Sequence, residues 1–186
     1  KQIILTCHGE EFFKDIQNLL PAQVAVQTQS LAFLPRLEDS HINVDFNCAP
    51  RNYIIAAREH FDRNEIRESL SKSRKAMESL TKGKVWRYVN KYGDGNLSLK
   101  LRGASAPIEL RNLSDQLKSK ISKADFSDQN KSIVLEPLST LVGLNGNSRE
   151  WRYLNKGTHE ENDRAEFDRN TVSTMIMALE QLDHAL

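Results

Sequence analysis

The chain has 186 residues, a formal net charge of +1, 39% hydrophobic residues and 27% charged residues. That balance excludes a disordered or fibrous chain and leaves apolar material for a modest core, in one domain or one and a half. The longest purely apolar runs, such as Tyr53 to Ala57, fall far short of the about 20 residues that span a bilayer, so no membrane partner is expected.

The start, KQIILTCHGEEFF, lacks a long apolar stretch and a small-residue cleavage site, so no signal peptide is expected. The missing initiator Met suggests a fragment or a processed chain. Gln2 to Cys7 reads as a short strand ending at His8-Gly9. Phe12, Phe13, Ile16, Leu19 and Leu20 then recur at helical spacing, and Pro21 stops the helix. SLAFLP and HINVDF read as two strands of a hairpin around Leu37–Ser40. APRNYIIAAREHF opens a helix, and Asn64 is expected to cap the next, NEIRESLSKSRKAMESL. Its apolar stripe runs Ile66, Leu70, Ser73, Met77 and Leu80.

After a Gly93-Asp94-Gly95 turn, NLSLKL alternates as a strand does, with Pro107–Leu110 as its partner, which predicts a small hairpin over 96–110. Residues 112–123 form a basic amphipathic helix, and 131–142 form another that contains Pro137. Ser148 caps a short helix through Trp151 and Leu154. The last helix carries Val172, Met175, Ile176, Leu179 and Leu182 at core-packing spacing. For the start of that helix two signals compete. Thr158 with Glu161 makes a T-x-x-E capping box that puts His159 in the first turn. A start at Asp163, with Glu166 as its partner, leaves His159 in the preceding loop.

Cys7 and Cys48 sit in unlike contexts without metal-type spacing and read as free thiols of a reducing cytoplasm. No His/Cys/Asp set has metal-ligand spacing, so no metal site is expected. The net charge hides an asymmetry. From Lys82 to Lys123 there are ten Lys or Arg against three acidic residues, whereas residues 124–186 hold six against eleven. A basic middle suits phosphate contact, because charge neutralisation dominates nucleic-acid affinity. A solvated helix face accounts for it equally well.

Two groups of residues carry more specific resemblances. QIILTCHGEEF is similar to the end of an ABC/SMC-type ATPase domain, where a buried strand leads to a Thr and a switch histidine, here His8. No Gly-rich phosphate loop occurs in this sequence, so the resemblance implies the C-terminal piece of a larger ATPase that holds ATP only with the rest of it. In RYLNKGTHEENDRAEF, residues 152–167, Arg152 precedes His159 with Asn155 between them. This resembles the HEPN superfamily motif at the start of a final helix. Arg74 and Glu78, four apart on an earlier helix, with a later His159, also resemble the anticodon-nuclease HEPN domains found behind ABC-type ATPases in bacterial defence proteins.

These resemblances imply a mainly α, HEPN-like helical bundle with a small β-hairpin insertion and a short N-terminal strand left from the ATPase. Residues 1–49 would be the ATPase end and linker, and 50–186 the helical domain. They imply a cytoplasmic, metal-independent ribonuclease with RNA, tRNA included, as substrate, and a homodimer as its assembly. Arg74, Glu78 and His159 would be catalytic, and Arg152, Asn155 and Lys156 would bind substrate. Metal-free RNA cleavage needs a base for the 2′-OH and a cation for the charged phosphorane, which His159 and an arginine can supply. Two other readings stay open. Arg74 and Glu78 also suit an ordinary intrahelical ion pair, worth a few tenths of a kcal/mol. The whole domain also suits a non-catalytic helical module of such an ATPase, used for dimerisation or for holding a separate effector.

Overall fold

The structure is a computed structural model of the chain, and it describes residues 4–6, 10–25, 32–33, 44–45, 52–93, 96–97, 108–143, 148–156 and 167–186. Among the described residues the protein is mainly helical, and no helix is long and apolar enough to cross a membrane. The chain divides into two units, Lys1–Asn52 and Tyr53–Leu186.

In the first unit, α1 (Glu10–Leu19) and α2 (Ala22–Ala25) flank Pro21. The proline ends α1 because its ring clashes with the preceding turn and it has no N–H to donate. β1 (Ala32–Phe33) and β2 (Val44–Asp45) pair antiparallel, with Ala32 opposite Asp45 and Phe33 opposite Val44. Two residues of each expected strand, SLAFLP and HINVDF, therefore pair, and the rest of both, with the turn at 37–40, lies outside the described residues. The expected N-terminal strand is not found over 4–6. Ile4 is 80% exposed, and the β-prone run has no partner strand among the described residues. Residues 98–107, the body of the expected 96–110 hairpin, lie outside the described set; of its described ends, 96–97 and 108–109 form no strand, and Leu110, expected to end the second strand, opens a helix over Leu110–Ser122.

The second unit holds α3 (Tyr53–Asp62), α4 (Ile66–Ser79), a π-helical turn (Leu80–Val85), α5 (Trp86–Tyr92), α6 (Leu110–Ser122), α7 (Lys131–Val142), α8 (Arg149–Lys156) and α9 (Arg169–Ala185). α4, the π turn and α5 run on without a break. α9 is the central packing element and touches α3, α4, α7 and α8. Its Val172, Met175, Ile176, Leu179 and Leu182 are buried, as the spacing predicts. They meet a core that includes Leu70 and Met77 of α4, Leu113 and Leu117 of α6, and Leu138 and Leu141 of α7. The π turn inserts extra backbone, so the buried face moves round the helix from Leu70, Ser73, Met77 and Leu80 to Val85 and Val89.

Two expected caps are corrected. Asn64 is not the N-cap of α4. Glu65 holds that position, and Asn64 has φ of 63°, the left-handed conformation that Asn tolerates in a turn. There its Oδ1 accepts from Arg169 Nη1 at 2.6 Å, while the Arg169 guanidinium lies 4.2 Å from the Phe61 ring centre. The last helix begins neither at Thr158 nor at Asp163. Asp168 caps it, accepting from Thr171 N at 2.9 Å and from the Thr171 hydroxyl at 2.6 Å.

The Thr171 hydroxyl, followed by the backbone N–H groups of Thr171 and Asn170, holds the Asp168 carboxyl below its usual range. The cap is therefore complete above the unfolded carboxylate pKa of about 3.9 and is lost as pH falls through the lower folded value. Asp168→Asn keeps an acceptor but has no proton to gain. Melting temperature followed from about pH 6 to about pH 3 is expected to fall less steeply in this variant than in the wild type. Parallel curves would remove Asp168 from the acid response.

Candidate active site

Three helices build the polar cluster that the sequence points to. Arg74 lies on α4 beside its apolar stripe, and its side chain is 24% exposed. Its Nε is 3.5 Å from Glu78 Oε1, one turn on, and the Glu78 side chain is 41% exposed. An ion pair this open contributes at most a fraction of a kcal/mol, so it does not explain the geometry by itself. The stronger contact crosses to α8. Arg74 Nη1 donates to Asn155 Oδ1 at 2.5 Å, over 81 residues of sequence. The guanidinium has only donors, so the amide must present its oxygen.

α8 is positioned for this by its own N-cap. Ser148 Oγ accepts from Trp151 N at 2.9 Å and donates to the Leu141 carbonyl at 2.7 Å, which ties the helix start to the end of α7. Between α7 and α8, Gly143 has φ of +73°, and a Cβ there would lie 2.5 Å from Ser148 N, so only glycine makes this turn. Trp151 and Leu154 are buried. Trp151 and Asn155 are four apart and share a face of α8.

Trp151 then gathers a second cation. The Arg74 guanidinium carbon lies 5.7 Å from the indole ring centre, and that of Arg111, on α6, lies 5.3 Å from it. Arg111 Nε donates to Asp115 Oδ2 at 2.7 Å, and both side chains are about one third exposed. The indole, 2% exposed, thus forms a dry floor beneath two arginines that reach solvent. Cation–π attraction holds each guanidinium near the ring. Arg74 Nη2 has no hydrogen-bond partner among the described residues.

The structure brings together Arg74, Glu78 and Asn155 from the expected set. Arg152 is exposed on α8, and its guanidinium has no partner among the described residues. It does not join the Arg74–Asn155 contact. Lys156 ends α8, but its side chain lies outside the described residues, as do His159 and His8. The described ends of the 157–166 segment both sit against α4. Asn155 is on Arg74, and Phe167 lies under Arg67, whose guanidinium carbon is 5.8 Å from the ring centre. Tyr153 joins those ends, meeting the Phe167 ring edge-on at 5.1 Å and accepting from Asp168 N at 3.0 Å.

Sequence reasoning missed Trp151 and Arg111 as site residues. Arg111 was visible only as one charge of the basic middle, and Trp151 only as an apolar residue of α8. Among the described residues no three His, Cys, Asp or Glu side chains gather in an arrangement that could hold a metal ion. No family model matches the chain, and neither does any curated protein or solved structure.

Proposed function

We propose that the unit Tyr53–Leu186 is a HEPN-type, metal-independent endoribonuclease, the effector end of an ABC/SMC-type ATPase in bacterial anti-phage defence, with tRNA among its targets. The observation that carries this reading is the 2.5 Å hydrogen bond from Arg74 to Asn155. It joins the Arg-x-x-x-Glu helix to the segment that holds Arg152 and His159, two motifs far apart in sequence. That both described ends of the 157–166 segment rest on α4 supports the same pairing.

In this mechanism His159 takes the proton of a ribose 2′-OH, and the 2′-oxygen attacks the adjacent phosphorus. The P–O5′ bond breaks, the 5′-oxygen gains a proton from solvent, and a 2′,3′-cyclic phosphate remains on the other fragment. Arg74 offers paired N–H groups to the phosphorane oxygens, which a lysine cannot do in the same geometry. Glu78 and Asn155 are positioning residues that fix the guanidinium. Arg152, Asn155 and Lys156 would hold the substrate strand.

The test is expression of wild type beside His159→Ala in a bacterial host, with growth followed and total RNA resolved. Wild type is expected to be toxic and to yield fragments ending in cyclic phosphate, with both effects lost in the variant. Equal growth and equally intact RNA would remove the nuclease and favour a non-catalytic helical module.

A further inference from the structure

A second feature of the basic middle lies at the far end of α6. A cleft of about 290 Å³ is lined by Tyr92, Gly93, Lys120, Lys123, Asp125 and Phe126. It opens where α5 ends and the α6–α7 turn begins. Phe126, buried, forms its back wall and packs on Gly93, where a Cβ would come within 3.2 Å of the ring. Tyr92, half-buried, forms a side wall. Its ring centre lies 5.1 Å from that of Tyr88 and 6.3 Å from that of Phe126.

The charge around this cleft is positive. Lys120 and Lys123 line it, and the Lys91 ammonium sits 4.7 Å from the Tyr92 ring centre. Lys131, on α7, donates its Nζ to the Lys123 carbonyl. Against these stand Asp125 and Asp128. Asp128 is already engaged, accepting from the Tyr88 hydroxyl at 2.5 Å and from Asn130 N at 2.9 Å. A small cleft walled by aromatic rings and rimmed by lysines matches one nucleotide unit, a base with its phosphate, better than a whole cofactor.

We propose that this cleft is an RNA-anchoring site, separate from the Arg74 cluster, that grips a single-stranded stretch of the substrate through its backbone phosphates and a base on Tyr92. The choice of RNA as ligand rests on the nuclease reading above. Arg111 and Lys120 lie on the same helix, about 14 Å apart along its axis at about 1.5 Å per residue and on opposite faces of it, so a strand shared between the two sites passes round α6. A duplex would keep its bases stacked away from Tyr92 and would use only the lysines.

The experiment is fluorescence anisotropy with a labelled twelve-nucleotide oligouridine and the full chain carrying His159→Ala, which keeps the probe intact. Lys120→Gln with Lys123→Gln is expected to weaken binding at least about ten-fold and to reduce the slope of log K against log salt by about 1.4, or 0.7 per lost phosphate contact. Tyr92→Leu is expected to weaken it about ten-fold with the slope unchanged. A duplex of equal length should compete poorly. Unchanged affinity and slope in the lysine variant, no binding by the parent, or tighter binding of duplex would each overturn the proposal. The two readings fail separately. A wild-type chain that cleaves no RNA, beside the expected binding losses in the cleft variants, sinks the nuclease mechanism and leaves the anchoring result standing. Loss of cleavage with unaltered binding in the cleft variants sinks the anchor alone.

Discussion

If the unit is the ribonuclease proposed above, Arg74→Lys is expected to lower kcat for RNA cleavage by about 10²- to 10³-fold while KM changes by less than about three-fold. Lysine retains the positive charge and so retains most of the attraction for an approaching phosphodiester. It loses the planar fork that meets two phosphorane oxygens at once, and with it an interaction realised fully only in the transition state. The fork is also what lets the side chain contact Glu78 and Asn155 together, through Nε and Nη1. Asn155→Ala should therefore reproduce part of the loss, about ten-fold in kcat, because a freed guanidinium is spread over more rotamers. The double variant should be less impaired than the product of the two single effects, as expected for residues that act as one unit. Single-turnover rates with each variant decide it. If Arg74→Lys cleaves at the wild-type rate, or alters KM alone, Arg74 is a surface ion pair with a structural hydrogen bond. Circular dichroism should show intact helices throughout, because the Arg74–Glu78 pair is too exposed to hold the fold.

That prediction draws on two kinds of information, only one of which the sequence displays. The i,i+4 relation of Arg74 and Glu78 is local and could be read from residue spacing. So could the buried stripes of α4 and α9 and the Ser148 cap of α8, because each depends on a few consecutive residues. The contact that joins α4 to α8 spans 81 residues and follows from how the helices cross. Trp151 was legible as apolar, but not as the floor for two arginines drawn from α4 and α6. The caps show the limit of local rules. Asn64, Thr158 and Asp163 are all good N-cap residue types. Asn64 is instead turned into a left-handed bend that receives Arg169, and Asp168 caps α9 because Thr171 offers it a hydroxyl as well as an N–H. The π turn is another such case. Nothing in LTKGKV marks a π turn, yet it decides which face of the long helix is buried.

The π turn also sets up the largest expected effect on stability. It carries Lys84 inward, and Lys84 Nζ donates to Asp183 Oδ1 on α9 at 2.5 Å, with the two side chains 7% and 3% exposed. An ion pair buried this deeply repays its desolvation only while both partners remain. Lys84→Met is expected to cost about 3–5 kcal/mol, read as a lower urea midpoint at unchanged slope, because it takes the countercharge from a carboxylate buried in the core. Asp183→Leu strands an ammonium and should cost a similar amount. The combined Lys84→Met, Asp183→Leu variant should recover most of that loss, since apolar side chains of similar bulk fill the same space without a charge to bury. The recovery distinguishes a charge effect from a packing effect. If the pair serves mainly by filling volume, both single variants would be mild and their costs would add. A single-variant cost below about 1 kcal/mol, or a double variant weaker than either single one, would mean that the bond between the π turn and α9 does not hold this end of the bundle together.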